Sequence, residues 1–376
     1  MIYLDHNATT PLLPEVEEEM RRVARDGFGN PGSRHAAGRK ARQILESARE
    51  SIAAILGASR SEVVFTSGGT ESINLALRGM TAGRRGTVLL PPGEHPATVE
   101  TVKSLPHCQP TWLPINTQGL LIPNQFQSVA WEHVVCATCL LAHNETGVIQ
   151  DLGFMREECE SRQIPWHVDA VQAAGKLPLS FRELGCTAMS IGAHKFGGPR
   201  GIGALLIRQG VKLPSLMQGG HQEGGVRPGT EPVMLIAGMA EALEIWESRR
   251  LEWYQQLVTL RDRLQDGLLE TIPFAVVNAG DAPRLPNTLS IAFPGCSAEA
   301  LLVALDLAGV CCSLGSACAS GSAQPSPILQ AMQLPPNVVS STLRLSLGVQ
   351  NTEAEIDEAI RLISTAALRQ TGQKTT

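Results

Sequence analysis

The sequence predicts an α/β protein. A large domain over residues 14–250 is built on a mainly parallel sheet, and residues 1–13 and 251–376 form a smaller α+β lobe. Three observations lead there. Short apolar runs alternate with helical patterns through the middle of the chain, the order that lays parallel strands side by side. After a long helical stretch from about Pro232 to Leu269, the order changes to strand, strand, helix, strand. Finally, 376 residues, 43% apolar and 18% charged, are too many for one ordinary small core and enough for a large core with a satellite.

In the first region the strand-like runs are Glu62-Val63-Val64-Phe65, Thr87-Val88-Leu89-Leu90, His133-Val134-Val135-Cys136, Trp166-His167-Val168-Asp169 and Ala188-Met189-Ser190-Ile191. A sheet of this kind binds its ligand beyond the carboxyl ends of its strands, where Thr70, His95, Asn144, Asp169 and Lys195 fall. In the second region the elements are Phe274-Ala275-Val276-Val277, Thr288-Leu289-Ser290-Ile291, a helix from Ser297, and Leu343-Arg344-Leu345-Ser346. The last helix opens on a capping box, Thr352 with Glu355, and Ile356, Ile360 and Ile363 give its apolar stripe. Residues 219–229 and 320–327, rich in Gly, Pro and Ser, read as loops.

A net charge of −5 argues against a nucleic-acid partner. The basic run Arg39-Lys40-Ala41-Arg42, followed by Glu46 and Glu50, reads as a solvated helix face. The start, Met1 to His6, lacks the features of a signal peptide. The longest apolar region, Ala298 to Ala319, is broken by Glu299 and Asp306, so no membrane span is expected. Nine unevenly spaced cysteines then belong to a reducing, cytoplasmic setting.

Two polar positions carry the chemistry. Asp169 ends one strand-like run, and Lys195 follows the next, in Ser190-Ile191-Gly192-Ala193-His194-Lys195. An acid and a lysine so placed suit pyridoxal phosphate: the amine holds the aldehyde as a Schiff base, and the carboxylate keeps the pyridine nitrogen protonated. Asp169 taken alone reads equally as a helix cap. Ser67-Gly68-Gly69-Thr70-Glu71-Ser72 follows a strand and opens a helix, so Gly69 and Thr70 are candidates for a phosphate cup, or for a simple capped turn. His95, in Gly93-Glu94-His95-Pro96, either caps the next helix or stacks on a cofactor and moves protons. Arg344, inside an apolar strand pattern, needs an anion: a structural carboxylate or a substrate's. Cys136 and Cys139 read as core cysteines rather than half a metal site. Cys318 sits among small residues, Gly315-Ser316-Ala317 before it and Ala319-Ser320-Gly321 after, and suggests an accessible thiol. Cys311 and Cys312, after an apolar run, are expected to be buried.

With these motifs the chain resembles the cysteine desulfurases, pyridoxal-phosphate enzymes of the class V aminotransferase fold. The likeness runs nearly end to end, through Tyr3 to Thr10, Phe28-Gly29-Asn30-Pro31, Ser67 to Ser72, Asn144-Glu145-Thr146-Gly147, His167 to Ala170, His194-Lys195, Arg227-Pro228-Gly229-Thr230, Gly315 to Cys318 and Arg344 to Gly348. It implies fold type I with a seven-stranded sheet. It also implies Lys195 as the Schiff-base residue, Asp169 at the pyridine nitrogen and His95 stacked on the ring. Asn144 and Gln172 lie near the ring hydroxyl, Thr70 and His194 at the phosphate, and Thr230 reaches across from a second subunit of a homodimer. Arg344, with Asn144, holds the carboxylate of L-cysteine. Cys318 takes the sulfur as a persulfide, on a loop through Ser326 that suits the branch with a long catalytic loop. The implied partner is a sulfur-acceptor or scaffold protein of iron-sulfur assembly or tRNA thiolation. No resident metal is implied, although Cys318 is a candidate transient ligand to an iron-sulfur cluster. Two departures stand out. Gly192 replaces a serine usual in the family, which removes one phosphate hydroxyl. An end at Thr376 leaves none of the long C-terminal tail with which some members dock a scaffold. The competing expectations are a selenocysteine lyase, a transaminase of the same fold, and a non-catalytic sulfur-handling scaffold.

Overall fold

The computed structural model describes residues 1–314 and 325–372. Its strands are β1 (Ile2–Tyr3), β2 (Val63–Thr66), β3 (Gly86–Leu90), β4 (Cys108–Trp112), β5 (Val134–Leu140), β6 (Trp166–Asp169), β7 (Ala188–Gly192), β8 (Gly203–Ile207), β9 (Val276–Val277), β10 (Thr288–Ala292), β11 (Val310–Cys311) and β12 (Thr342–Ser346). Seven form the main sheet, in the order β2-β8-β7-β6-β5-β3-β4. All neighbours in it pair parallel except those of β8, which runs antiparallel to both β2 and β7.

The five runs recognised from sequence become β2, β3, β5, β6 and β7. The two missed have physical reasons. β4 is a half-exposed edge strand carrying Pro110, whose missing N–H is tolerated there. β8 is fully buried but follows a Gly/Pro turn, and its five residues carry no alternation. The expected strand at 274–277 shrinks to the two residues of β9, at the edge of a three-stranded antiparallel sheet β12-β10-β9.

Side chains of the main sheet divide between two apolar clusters, one on each face. Phe65, Leu89, Cys139 and Val168 enter one, and Val64, Val88, Cys136 and Leu205 the other. Cys136 and Cys139 are thus fully buried on opposite faces and do not converge. A third cluster gathers Ile2 and Leu4 with Leu289, Leu343, Ile356 and Ile363. The 39-residue helix Val233–Thr271 joins the first and third clusters, burying Ile236 and Leu243 in one and Leu257 and Leu264 in the other. The helix Glu353–Thr371 has its capping box as expected, a device worth about 1 kcal/mol.

The N-terminal segment is sewn into the molecule. β1 pairs with β11, and Asp5 bridges to Ser346. Thr10 donates through both N–H and hydroxyl to the His194 carbonyl, at 2.9 and 3.0 Å, which brings residues 7–10 against the turn that carries Lys195.

Candidate active site

Beyond the carboxyl ends of β2, β5, β6 and β7 lies a cavity of about 380 Å³. Its wall includes Gly69, Thr70, His95, Asn144, Asp169, Gln172, His194, Lys195 and Arg344, residues drawn from all parts of the chain. Each arrives there for a local reason.

Between β2 and the helix Gly69–Thr81, Gly68 takes φ 152°, a value glycine tolerates. A Cβ on Gly69 would come within 2.7 Å of Val171, so only glycine lets the helix start so near β6. The first amides of this helix have no partner within the helix, which makes its N-terminus an anion site with the Thr70 hydroxyl alongside. Glu71 braces the turn by accepting from the Ser67 N–H at 2.6 Å and from Arg227 Nε at 3.0 Å. At Gly192 a Cβ would make only ordinary contacts, 3.6 Å from the Gly69 nitrogen, so the space for the family's serine is still present.

Asp169 closes β6 with 2% of its surface exposed, and its Oδ1 accepts the Val171 N–H at 2.9 Å. Burial pushes its pKa up to about 6, against the opposing pull of that hydrogen bond and of Lys195. An acid so buried gains most from a cationic partner. Lys195, in the 3₁₀ turn after β7, donates through Nζ to the carbonyls of Asn7 at 2.6 Å and Ala8 at 2.9 Å.

His95 caps a helix and also faces the cavity. Its Nδ1 accepts the Ala97 N–H at 3.1 Å and caps the helix Pro96–Lys103, while its ring lines the cavity. Burial, with Lys195 and His143 nearby, lowers its pKa to about 4. The ring is therefore neutral at pH 7, with Nδ1 engaged as acceptor and its proton on Nε2. The adjacent Glu94 is a buried carboxyl whose pKa desolvation pushes up to about 8; its Oε1 accepts the Leu140 N–H at 2.6 Å and ties this loop to β5.

Arg344 resolves into an ion pair that also faces the cavity. Its guanidinium donates to Asp5 Oδ1 at 2.7 Å and to the Asn144 carbonyl at 3.1 Å, with 3% of the residue exposed. Gln172 donates to the Asn7 carbonyl at 2.8 Å, and His194 Nδ1 lies 3.2 Å from Thr9 Oγ1. Thr230 is exposed on its loop and does not line this cavity. Cys318 lies outside the described residues, but the segment's described neighbours sit beside the cavity. Ser313 exchanges backbone hydrogen bonds with Arg344, and Ser326 Oγ donates to Glu145 Oε2 at 2.6 Å, next to Asn144. Cys311 and Cys312 are half-buried rather than buried, because β11 is a two-residue strand at a sheet edge.

Sequence reasoning missed Asn7, Ala8, Asp5 and Lys176 as parts of this site. Their partners lie more than a hundred positions away, or behind the cavity wall, and no local pattern marks them. Among the described residues no group of three His, Cys, Asp or Glu side chains gathers to hold a metal ion, and no helix is long and apolar enough to cross a membrane.

A mainly parallel sheet with an acid and a lysine beyond adjacent strands defines a class of α/β enzyme, and the comparisons agree: the chain belongs to the aminotransferase class-V family, whose model matches residues 2–359. It is 42% identical to an IscS-like cysteine desulfurase of Mycobacterium tuberculosis, covering 98% of this chain and 97% of that one. It is 39% identical to a cysteine desulfurase of Nostoc sp., covering 96% and 92%. Among solved structures, a NifS-like protein superposes with a TM-score of 0.90 at 34% identity, covering 97% of this chain and 98% of that one. A NifS-like protein from Rickettsia africae gives 0.88 at 30% identity, covering 97% and 99%. The family is pyridoxal-phosphate-dependent, and the donor set here fits that group. A buried carboxyl suits a protonated ring nitrogen, a helix N-terminus with Thr70 suits a phosphate, and the amine of Lys195 suits an aldehyde.

Proposed function

We propose that the protein is a cysteine desulfurase that converts L-cysteine to L-alanine and transfers the sulfur to Cys318 as a persulfide. The observation that carries this reading is the convergence of Lys195, Asp169, His95, Thr70 and Arg344 on one cavity, with both described neighbours of residues 315–324 beside it. Relatives named cysteine desulfurase over nearly the whole chain support it.

In this reading Asp169 holds the pyridine nitrogen, Thr70, Gly69 and His194 the phosphate, Gln172 and Asn144 the ring's polar edge, and Lys195 the aldehyde carbon. Pyridoxal 5′-phosphate supplies an electron sink for bonds broken next to the substrate nitrogen. Arg344 binds the substrate carboxylate, oriented by Asp5 and the Asn144 carbonyl. Lys195 Nζ would carry protons to and from substrate carbon, and neutral His95 would offer its Nε2 proton to the reacting region. The Cys318 thiolate attacks the substrate sulfur: an S–S bond forms, the Cβ–S bond breaks, and a proton delivered to Cβ completes alanine. We assign the protein to a homodimer with Thr230 at the partner's phosphate, to the cytoplasm, and to delivery of sulfur for iron-sulfur clusters or thiolated cofactors.

The reading is tested by supplying L-cysteine or L-selenocysteine and measuring alanine. Release from L-cysteine supports it, and release from L-selenocysteine alone would make the protein a selenocysteine lyase. Replacing Arg344 by lysine is expected to raise KM for cysteine about 10- to 100-fold with a smaller change in kcat, the loss of one bidentate charge-assisted contact. An unchanged KM with a lowered Tm would restrict Arg344 to its ion pair with Asp5.

A further inference from the structure

Behind Gln172, on the wall facing away from the cavity, lies a lysine that the proposed reaction does not use. Lys176 has only 7% of its surface exposed, and among the described residues it has no carboxylate partner. Its Nζ donates to Gln172 Oε1 at 2.7 Å and to Asn7 Oδ1 at 3.3 Å. Burial, with Lys195 and Arg344 in its surroundings, draws its pKa well below that of an ordinary lysine. The amine donates to two amide oxygens, and both acceptors are neutral side chains.

We propose that Lys176 is a positioning residue for Lys195, acting through Gln172 and Asn7. Because Lys176 donates, it helps to fix which way two amides face, sharing Asn7 Oδ1 with Asn287 Nδ2, which donates to it at 3.2 Å. Gln172 must turn its oxygen to Lys176 and its Nε2 to the Asn7 carbonyl, at 2.8 Å. Asn7 must turn Oδ1 to Lys176, which leaves its Nδ2 to donate to Thr288 Oγ1 at 2.9 Å and the Asn144 carbonyl at 3.2 Å. The Asn7 carbonyl held by this frame is the acceptor of Lys195 Nζ at 2.6 Å. A buried network with every amide orientation determined is rigid, and small displacements of a reacting amine carry a large kinetic penalty.

The inference rests on the reading of Lys195 as the residue that takes the pyridoxal phosphate aldehyde, and one experiment separates the two. Full-length protein stripped of cofactor is mixed with pyridoxal 5′-phosphate, and the rate at which borohydride fixes it to Lys195 is followed. Affinity for pyridoxamine 5′-phosphate is measured in parallel. That analogue keeps ring and phosphate but has no aldehyde, so it reports the pocket without Lys195. Lys176→Met, which nearly conserves volume, is expected to slow capture about ten-fold or more while leaving pyridoxamine phosphate affinity within about two-fold. Equal changes in both, or none in either, would reduce Lys176 to a space-filling residue and overturn the proposal. If the methionine variant does not fold, Lys176→Gln, whose amide sits on a stem one bond shorter, is expected to give the same split. Parental protein that fails to capture the aldehyde on Lys195 would instead refute the reading of the site.

Discussion

Lys195→Ala is expected to lower alanine formation about 10³-fold, the scale of a lost proton-transferring group in an active site, and to abolish borohydride fixation of the cofactor. The fold should survive. Lys195 Nζ donates to the carbonyls of Asn7 and Ala8 at the cavity wall, and each such contact is worth about 1 kcal/mol net. Binding of pyridoxamine phosphate should persist, because Asp169 and the N-terminus of the helix Gly69–Thr81 do not depend on the lysine. Peptide mapping decides the assignment: cofactor fixed to Lys176 in the parental protein would move the reacting amine to the wrong side of Gln172.

Cys318→Ser is the second large effect, and it separates sulfur acceptance from substrate binding. A serine hydroxyl is not ionised at neutral pH and forms no persulfide, whereas a thiolate attacks sulfur readily. Alanine release without added thiol should fall about 10²-fold or more, while cysteine still binds, since Arg344 and the cavity wall are untouched. The neighbouring thiols are poor substitutes. Burial, with Asp5 nearby, pushes the Cys312 pKa up to about 12, which leaves it protonated at neutral pH. Cys311 lies in β11, held by pairing to β1. Parental turnover in the Cys318→Ser protein, with persulfide on Cys311 or Cys312, would end this account of sulfur transfer.

What could be read from the chain alone followed locality. β2, β3, β5, β6 and β7 are short apolar runs, and the residues just past their ends, Thr70, Asn144, Asp169 and Lys195, line the cavity because a parallel sheet collects such positions at one edge. The capping box at Thr352 and the helix that begins after Ser297 are local signals, and both are present. The N-terminal contribution could not be read in this way. Asn7 and Ala8 reach Lys195 only because β1 is fastened to β11 and Thr10 to His194, contacts with no periodicity of their own. Arg344 left two readings open, and only the fold brings it to both Asp5 and the cavity. No local pattern singles out Lys176, and the absence of any carboxylate among its described contacts appears only once Gln172 and Asn7 are in place.

The central claim is that sulfur leaves L-cysteine in this cavity and arrives on Cys318. The most direct test mixes the cofactor-loaded protein with one equivalent of L-cysteine labelled with heavy sulfur, quenches with an alkylating reagent, and maps every cysteine-containing peptide by mass spectrometry. The account predicts one labelled sulfur added to Cys318, with an equal amount of alanine. Alanine formed with the label on another cysteine, or released without any bound persulfide, would contradict it.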